Sequence, residues 1–203
     1  MKADLYHSNN FYSRCIDKES HILRGGLFFR TFLKYLKPRS EDKILDIGCN
    51  RGEVTKKVKK YSRNVTGIDI NVEAVKRAVT SDIIHMDAAR MSFPPNYFDK
   101  IYSSHVIEHI SDLDNFIKGV ERILKPGGKL LLVYPYEIFR GSNALVSSLI
   151  SQKSLFAARE LHLHRLTPNR IKKIITETSL HHLKSKLHLV PFLSYFTLLE
   201  KQK

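Results

Sequence analysis

Two acidic residues and a glycine-containing loop occur where a nucleoside could be bound. The stretch Ile44–Val54, ILDIGCNRGEV, joins an apolar run to a loop that holds Gly48 and Gly52. Asp69 closes the next apolar run, and Asp87 lies near the end of the one after that. A carboxylate at Asp69 can accept hydrogen bonds from both hydroxyls of a ribose, and Asp87 can accept one from an exocyclic amine. This pattern predicts an adenosine pocket.

The loop lacks the common phosphate-binding signatures. Its residues GCNRGE depart from the dinucleotide pattern G-x-G-x-x-G, and no G-x-x-x-x-G-K-[ST] sequence occurs. Gly48 permits a positive φ and a bare backbone beside a ligand, and Asn50 tolerates the left-handed region. Gly52 would let the following helix pack closely, with its N–H groups toward an anionic group. We expect Asp46 either to contact the ligand or to order the loop through backbone hydrogen bonds.

Alternating strands and helices must position these residues. Apolar runs predict strands at KILDIG, NVTGIDI, DIIHMDA, FDKIYSS and KLLLVYP. Helices are predicted between several of them, including NVEAVKRAV with Asn71 as N-cap and DLDNFIKGVERIL, which Lys125–Gly128 ends. An amphipathic helix at 20–37 precedes this series, and TPNRIKKIITETS and two strands close the chain. The β–α alternation implies right-handed crossovers and a buried parallel sheet, an α/β doubly wound fold.

Four motifs in this order resemble the class I S-adenosylmethionine-dependent methyltransferases, especially the small-molecule branch of the ubiquinone-biosynthesis type. They are ILDIGCNRGEV, VTGIDI, HMDAARMSFPPNYFDKIYSSHVIEHI and LKPGGKLLLVYP. The resemblance implies a Rossmann-like sheet, mostly parallel with an antiparallel last strand, N-terminal helices and a lid insertion. It also implies S-adenosylmethionine as cofactor and S-adenosylhomocysteine as product. We expect one domain with a helical lead-in (1–40), a cofactor-binding core (43–135), a lid (136–166) and a closing helix and strands (167–203).

The resemblance also implies which residues hold the cofactor. The glycine loop, in which Asn50 replaces a commoner glycine, would line its methionine and ribose side. Asp69 would bind the ribose hydroxyls with Ile70 against the adenine, and Asp87 and the backbone of Ala88 would meet the adenine edge. The main chain of two serines would meet the methionine amino group. The predicted cofactor-binding positions are Asp46, Gly48, Cys49, Asn50, Gly52, Asp69, Ile70, Asp87, Ala88, Ser103 and Ser104.

The histidines of HVIEH, His105 and His109, match the H-x-x-E-H pattern of a class of zinc peptidases. No further acidic ligand motif follows, so we reject that interpretation. Some RNA 3′-terminal methyltransferases of this fold bind a divalent metal through Glu-x-x-Glu-His here, but His105 replaces the first Glu, which is unfavourable for Mg²⁺ though tolerable for other ions. We predict no metal. His162 and His164 in LHLHR are assigned to the lid or the surface rather than to a metal.

Two roles remain open for the HVIEH segment. Either His105 or His109 accepts the proton of the substrate or orients its nucleophile, or the segment is structural. In the structural interpretation His109 orients a loop and Glu108 caps or pairs locally. A base is needed only if the nucleophile arrives protonated, because positioning does most of the work in an in-line displacement.

Composition limits the surroundings and partners of the chain. The 203 residues include two cysteines, Cys15 and Cys49, and no long apolar run or signal-like leader, so we expect a cytoplasmic protein without a transmembrane segment. The formal net charge of +14 favours a polyanionic partner, either nucleic acid or an anionic membrane surface touched peripherally. A basic surface that merely keeps the protein soluble is the alternative.

The acceptor of the methyl group must be recognised outside the core, in the lid and the lead-in. An apolar stripe in the lid, which includes Leu145, Leu149 and Phe156, predicts either a cover for a hydrophobic or membrane-derived acceptor or a surface packed on the sheet. The expected function is methyl transfer to a small-molecule or lipid-like acceptor. The alternatives are an RNA methyltransferase that uses the basic surface and a cofactor-binding protein without catalysis.

Overall fold

The helices and strands alternate along the chain as the sequence predicts. The computed structural model describes residues 26–139, Ser142, 162–189 and 193–203. The elements are α1 (Gly26–Leu36), β1 (Lys43–Ile47), α2 (Glu53–Val58), β2 (Asn64–Asp69), α3 (Val72–Lys76), β3 (Ile83–His85), β4 (Phe98–Ser104), α4 (Leu113–Ile123), β5 (Leu124–Pro135), α5 (Pro168–Ile174), β6 (Leu180–His188) and β7 (Ser194–Lys201). Single 3₁₀ turns at Ala88–Arg90 and Ile107–His109 follow β3 and β4. None of the helices in these ranges is long and apolar enough to cross a membrane.

One seven-stranded sheet forms the centre of the molecule, with strand order β3-β2-β1-β4-β5-β7-β6. Strands β1 to β5 are parallel, and β7 runs antiparallel between β5 and β6. The predicted doubly wound, mostly parallel sheet with an antiparallel last strand is therefore confirmed. The strand order reverses between β1 and β4, and such a switch point is where ligands bind at the carboxyl edge of an α/β sheet.

Two hydrophobic clusters cover the two faces of the sheet. Leu45 and Ile47 pack with α4 and α5 on one face, whereas Ile44 packs with α1 on the other. The alternation arises because successive side chains of a strand point to opposite faces. Both faces are apolar, which explains the nearly continuous apolar runs of β1 and β5. On the α1 face, Phe32 meets the Tyr102 ring edge-on at 4.9 Å between centroids.

The segment Lys125–Gly128 differs from its prediction. It lies within β5, which begins at Leu124 directly after α4, instead of separating the helix from the strand. Leu124 pairs with Phe98 before the register shifts, and the residue before Pro126 is sterically biased toward extended backbone. Pro126 therefore favours strand over helix at this junction, and the helix ends at Ile123, one residue before its predicted end at Leu124.

Other expectations for single elements agree with the structure. Asn71 caps α3, its side chain accepting from the backbone N–H of Glu73 and Ala74. Helix α1 ends just before Pro38, as expected, and its predicted start lies outside the described residues, as does Cys15. Cys49 is buried and not in a disulfide.

A buried acid joins three elements beneath the first loop. The Oδ2 atom of Asp46 on β1 accepts from Thr55 Oγ1 of α2 at 2.6 Å and from the Tyr102 hydroxyl of β4 at 2.7 Å. Burial raises the pKa of Asp46 to about 7, although these two hydrogen bonds act in the opposite direction. Asp46 therefore orders the loop region through side-chain partners, whereas the sequence suggested backbone partners.

We expect this acid to make stability fall as pH rises. Its folded pKa of about 7 exceeds the unfolded value of 3.8, so the folded state holds the extra proton between these two values. The free energy of unfolding of the wild type, relative to Asp46→Asn, should fall on the order of 2 kcal/mol between pH 5 and pH 7. Urea denaturation followed by circular dichroism at each pH measures the difference. A difference independent of pH would contradict the buried, protonatable acid.

Candidate cofactor and acceptor site

The loop after β1 has left-handed backbone at three positions. Gly48, Asn50 and Gly52 have φ values of 74°, 51° and 80°. The backbone N–H groups of Gly48 and Cys49 both donate to the Ile68 carbonyl of β2, at 2.8 and 3.0 Å. The prediction that Asn50 replaces a glycine by adopting the left-handed conformation is confirmed.

The two loop glycines are required by packing against neighbouring segments. A Cβ atom on Gly48 would lie 2.1 Å from Val106 Cγ2, and one on Gly52 would lie 2.7 Å from Ile83 Cδ1. The absent side chain of Gly48 thus makes room for the loop after β4, whereas the sequence suggested that it makes room for a ligand. The expected close packing at Gly52 occurs against Ile83 of β3.

Asp69 at the end of β2 joins two loops through its carboxylate. Its Oδ2 accepts from the Asn50 N–H at 2.7 Å, and its Oδ1 accepts from the Asn71 N–H at 2.8 Å. Burial raises the pKa of Asp69, while these hydrogen bonds oppose the rise. Each carboxylate oxygen can accept more than one hydrogen bond, so the group can hold the loops and still accept from ribose hydroxyls.

The loop after β3 lies beside the end of β2. The Met86 N–H donates to the Asp69 carbonyl at 3.0 Å, and His85 Nε2 lies 3.1 Å from the Ile70 carbonyl oxygen. Asp87 caps the following 3₁₀ turn, its Oδ1 accepting from the Ala89 N–H at 2.9 Å. The structure therefore brings together the two segments that carry the predicted adenine contacts, Ile70 on one side and Asp87 with Ala88 on the other.

Two serines end β4 at the switch point. Ser103 lies beside Ile47 of β1 in the sheet register, and Ser104 lies beside Val133 of β5. Within the described part of the chain, the buried Oγ atoms of both serines have no hydrogen-bond partner. Buried hydroxyls normally find a partner, so this end of β4 suits a polar ligand group. The site fits the amino acid portion of S-adenosylmethionine, with the nucleoside toward Asp69.

His105 follows these serines in left-handed backbone, with φ of 56°. Its Nε2 lies 3.3 Å from Ser194 Oγ, and its Nδ1 lies 3.6 Å from Glu108 Oε1. Burial, together with the charge of His162, lowers the pKa of His105 to about 4. His105 is therefore neutral near pH 7 and is a weak base there, better suited to orienting a polar group than to removing a proton.

The structure adds Glu137, which the sequence analysis did not name, and corrects the surface alternative for His162. His162 is buried, and its Nδ1 lies 2.7 Å from Oε1 of the buried Glu137. The His162 ring meets the His109 ring at 4.9 Å between centroids. Only the alternation of histidines in LHLHR indicated this position. The apolar stripe of the predicted lid lies outside the described residues.

Known methyltransferases are similar in sequence to this chain. Residues 45–132 match the family described as a methyltransferase domain. The chain is 38% identical over 97 residues to 2-methyl-6-phytyl-1,4-hydroquinone methyltransferase of Synechocystis, covering 44% of this chain and 30% of that one. It is 27% identical over 161 residues to the ubiquinone/menaquinone biosynthesis C-methyltransferase UbiE of Pseudomonas paraeruginosa, covering 71% and 60%.

A solved structure extends the match to the fold. The S-adenosylmethionine-dependent methyltransferase of Mesorhizobium loti superposes with a TM-score of 0.71 at 15% identity, covering 88% of this chain and 100% of that one. Residues 45–132 carry the match to the methyltransferase domain family, and the chain has the fold of the S-adenosylmethionine-dependent methyltransferases. The cofactor of this class is S-adenosylmethionine, in agreement with the prediction from the sequence. The chain spans less than two thirds of the length of both relatives.

The packing of Gly48 makes a prediction for this methyltransferase domain. Gly48→Ala would place a side chain in left-handed backbone and against Val106, so the free energy of unfolding should fall by about 2 to 4 kcal/mol. Gly26→Ala, at a position with open space around the new Cβ, is the matched control and should change it by about 0.5 kcal/mol or less. Urea denaturation measures both. Equal losses in the two variants would contradict the close contact.

Proposed function

We propose that this chain transfers a methyl group from S-adenosylmethionine to a small-molecule, lipid-like acceptor by in-line displacement. The observation that carries the proposal is the carboxylate of Asp69, which joins the loops after β1 and β2 and retains acceptor capacity for a ribose. The unpartnered serine hydroxyls at the end of β4, identified among the described residues, support it from the other side of the switch point. The site therefore offers groups for both ends of the cofactor.

The cofactor supplies an electrophilic methyl group on a positively charged sulfur. The contribution of the chain is to position it, because an in-line displacement gains most from holding the two reactants in alignment. Asp69 and Asp87 would orient the nucleoside, and the loop at Gly48–Gly52 would hold its backbone-facing side. His105, neutral near pH 7, would accept a hydrogen bond from the acceptor and orient its nucleophile.

The proposed acceptor class rests on apolar surface at the carboxyl edge and on the relatives. Ile138 and Phe139 follow β5 and are 71% and 45% exposed, whereas Leu189 follows β6 and Leu193 precedes β7, with 69% and 41% exposed. The Tyr136 N–H donates to the Leu193 carbonyl, which brings the two apolar segments together. The two relatives are named for a phytyl hydroquinone and for ubiquinone and menaquinone synthesis. We therefore propose an acceptor with a polar ring and an apolar chain.

Binding of S-adenosylhomocysteine tests the cofactor site. Asp69→Ala should weaken binding at least tenfold, since hydrogen bonds to a charged group contribute about 1.5 to 3 kcal/mol. Asp114→Ala, which removes an exposed acid at the start of α4, is the control and should bind like the wild type. Isothermal titration calorimetry measures the affinities, and circular dichroism checks that both variants are folded. Unchanged affinity in folded Asp69→Ala would refute the assignment.

Turnover with a series of hydroquinones tests the acceptor class. Formation of S-adenosylhomocysteine should increase with the length of the apolar chain. Phe139→Ser should raise KM for the long-chain acceptor about fivefold or more, because less apolar surface is buried. Tyr61→Ser is a matched control, because Tyr61 is equally exposed, at 45%, and lies before β2 at the opposite edge. Salt-sensitive binding of RNA together with no turnover of any hydroquinone would contradict this acceptor class.

A further inference from the structure

A cluster of one carboxylate and two imidazoles lies beside the end of β4. Glu108, His109 and His162 each offer one ligand atom, and these three atoms all lie within 4.8 Å of one another. Glu108 is 1% exposed and His162 is 8% exposed, so the cluster is largely withdrawn from solvent. Nitrogen and oxygen atoms at this spacing can converge on a single ion, and buried charges in proteins are generally paired or bound to metal.

Backbone hydrogen bonds hold the remote segment of His162 in place. The N–H groups of Leu163 and His164 both donate to the Glu108 carbonyl, at 2.8 and 3.2 Å. The His164 ring Nε2 lies 2.9 Å from the Ile110 carbonyl oxygen. Residues 162–164 are thereby fixed against the turn that carries Glu108 and His109. Such a rigid arrangement is needed to hold ligand atoms at a fixed separation.

A second carboxylate orients the His162 ring. Glu137 Oε1 lies 2.7 Å from His162 Nδ1, and the Arg165 Nε–H donates to the Glu137 backbone carbonyl at 2.8 Å. When Nδ1 donates to a carboxylate, Nε2 is the basic nitrogen and points away from that carboxylate. Histidines that bind metals are commonly oriented by such a carboxylate partner. Glu137 is therefore positioned as the carboxylate that orients a metal-binding histidine without itself contacting the metal.

We propose that Glu108, His109 and His162 bind one divalent transition-metal ion, with Glu137 positioning His162. Two imidazole nitrogens and one carboxylate suit Zn²⁺, Mn²⁺, Fe²⁺ or Co²⁺, whereas Mg²⁺ and Ca²⁺ prefer oxygen. Three protein ligands leave at least one coordination position open for water or for an oxygen of a ligand. The proposal replaces the expectation of no metal, which considered the H-x-x-E-H segment without His162. It does not depend on the proposed acceptor.

Co²⁺ is a suitable probe because its visible absorption reports its ligands. Metal-free protein prepared with a chelator should bind one Co²⁺ per chain in calorimetry, with d–d bands that Zn²⁺ abolishes by displacement. His162→Gln and Glu108→Gln should each weaken binding at least about 100-fold, and Glu137→Gln about 10- to 100-fold. His181→Gln removes an exposed histidine of β6 by the same substitution and should bind like the wild type.

The comparison of these variants decides the proposal. Circular dichroism and the thermal midpoint without metal establish that each variant is folded, so that lost binding reports lost ligands. The proposal is overturned if the dissociation constant of the wild type for Co²⁺ exceeds about 100 µM. That value corresponds to a binding free energy of about −5.5 kcal/mol. It is also overturned if folded His162→Gln and His181→Gln bind equally well, since the ion would then bind elsewhere. Affinity for Mg²⁺ equal to that for Zn²⁺ would overturn the assignment to a transition metal.

Discussion

The carboxylate of Asp69 connects the parts of the candidate cofactor site that come from different βα units. Its two oxygens accept backbone N–H groups from the loops after β1 and β2, so neither loop can shift without breaking a hydrogen bond to this partly buried carboxyl group. Loss of such a partner costs free energy because the desolvation of the carboxyl group is no longer compensated. The relative position of these two loops, on which the proposed nucleoside contacts depend, follows from this link.

Close packing also connects the loop after β1 to the loop after β4. The backbone of Gly48 lies against Val106, and Val106 lies between His105 and the turn that carries Glu108. The loop expected to hold the methyl donor and the loop expected to face the acceptor are therefore in contact through apolar atoms. Because close-packed protein interiors transmit displacements, a shift of one of these loops would shift the other.

The metal proposal changes how the HVIEH segment is understood. The open roles were a proton acceptor and a structural turn, and both treated the histidines as acting alone. The structure instead brings together groups from three segments. His109 follows β4 with Glu108, Glu137 follows β5, and His162 precedes α5. An ion with an open position beside the end of β4 would supply Lewis acidity near the acceptor without a strongly basic histidine.

The sequence alone predicted the fold class and several local features of the candidate site. Apolar runs, caps and loop residues act over a few positions, so they predicted β1 to β7, the cap at Asn71 and the left-handed Asn50 without a tertiary structure. The tertiary structure decided which distant groups meet. It placed Val106 where a ligand was expected beside Gly48, gave Asp46 side-chain partners, and brought His162 to Glu108 across more than fifty residues. Contacts between remote segments depend on how loops return across the sheet edge, and local patterns carry no record of that path.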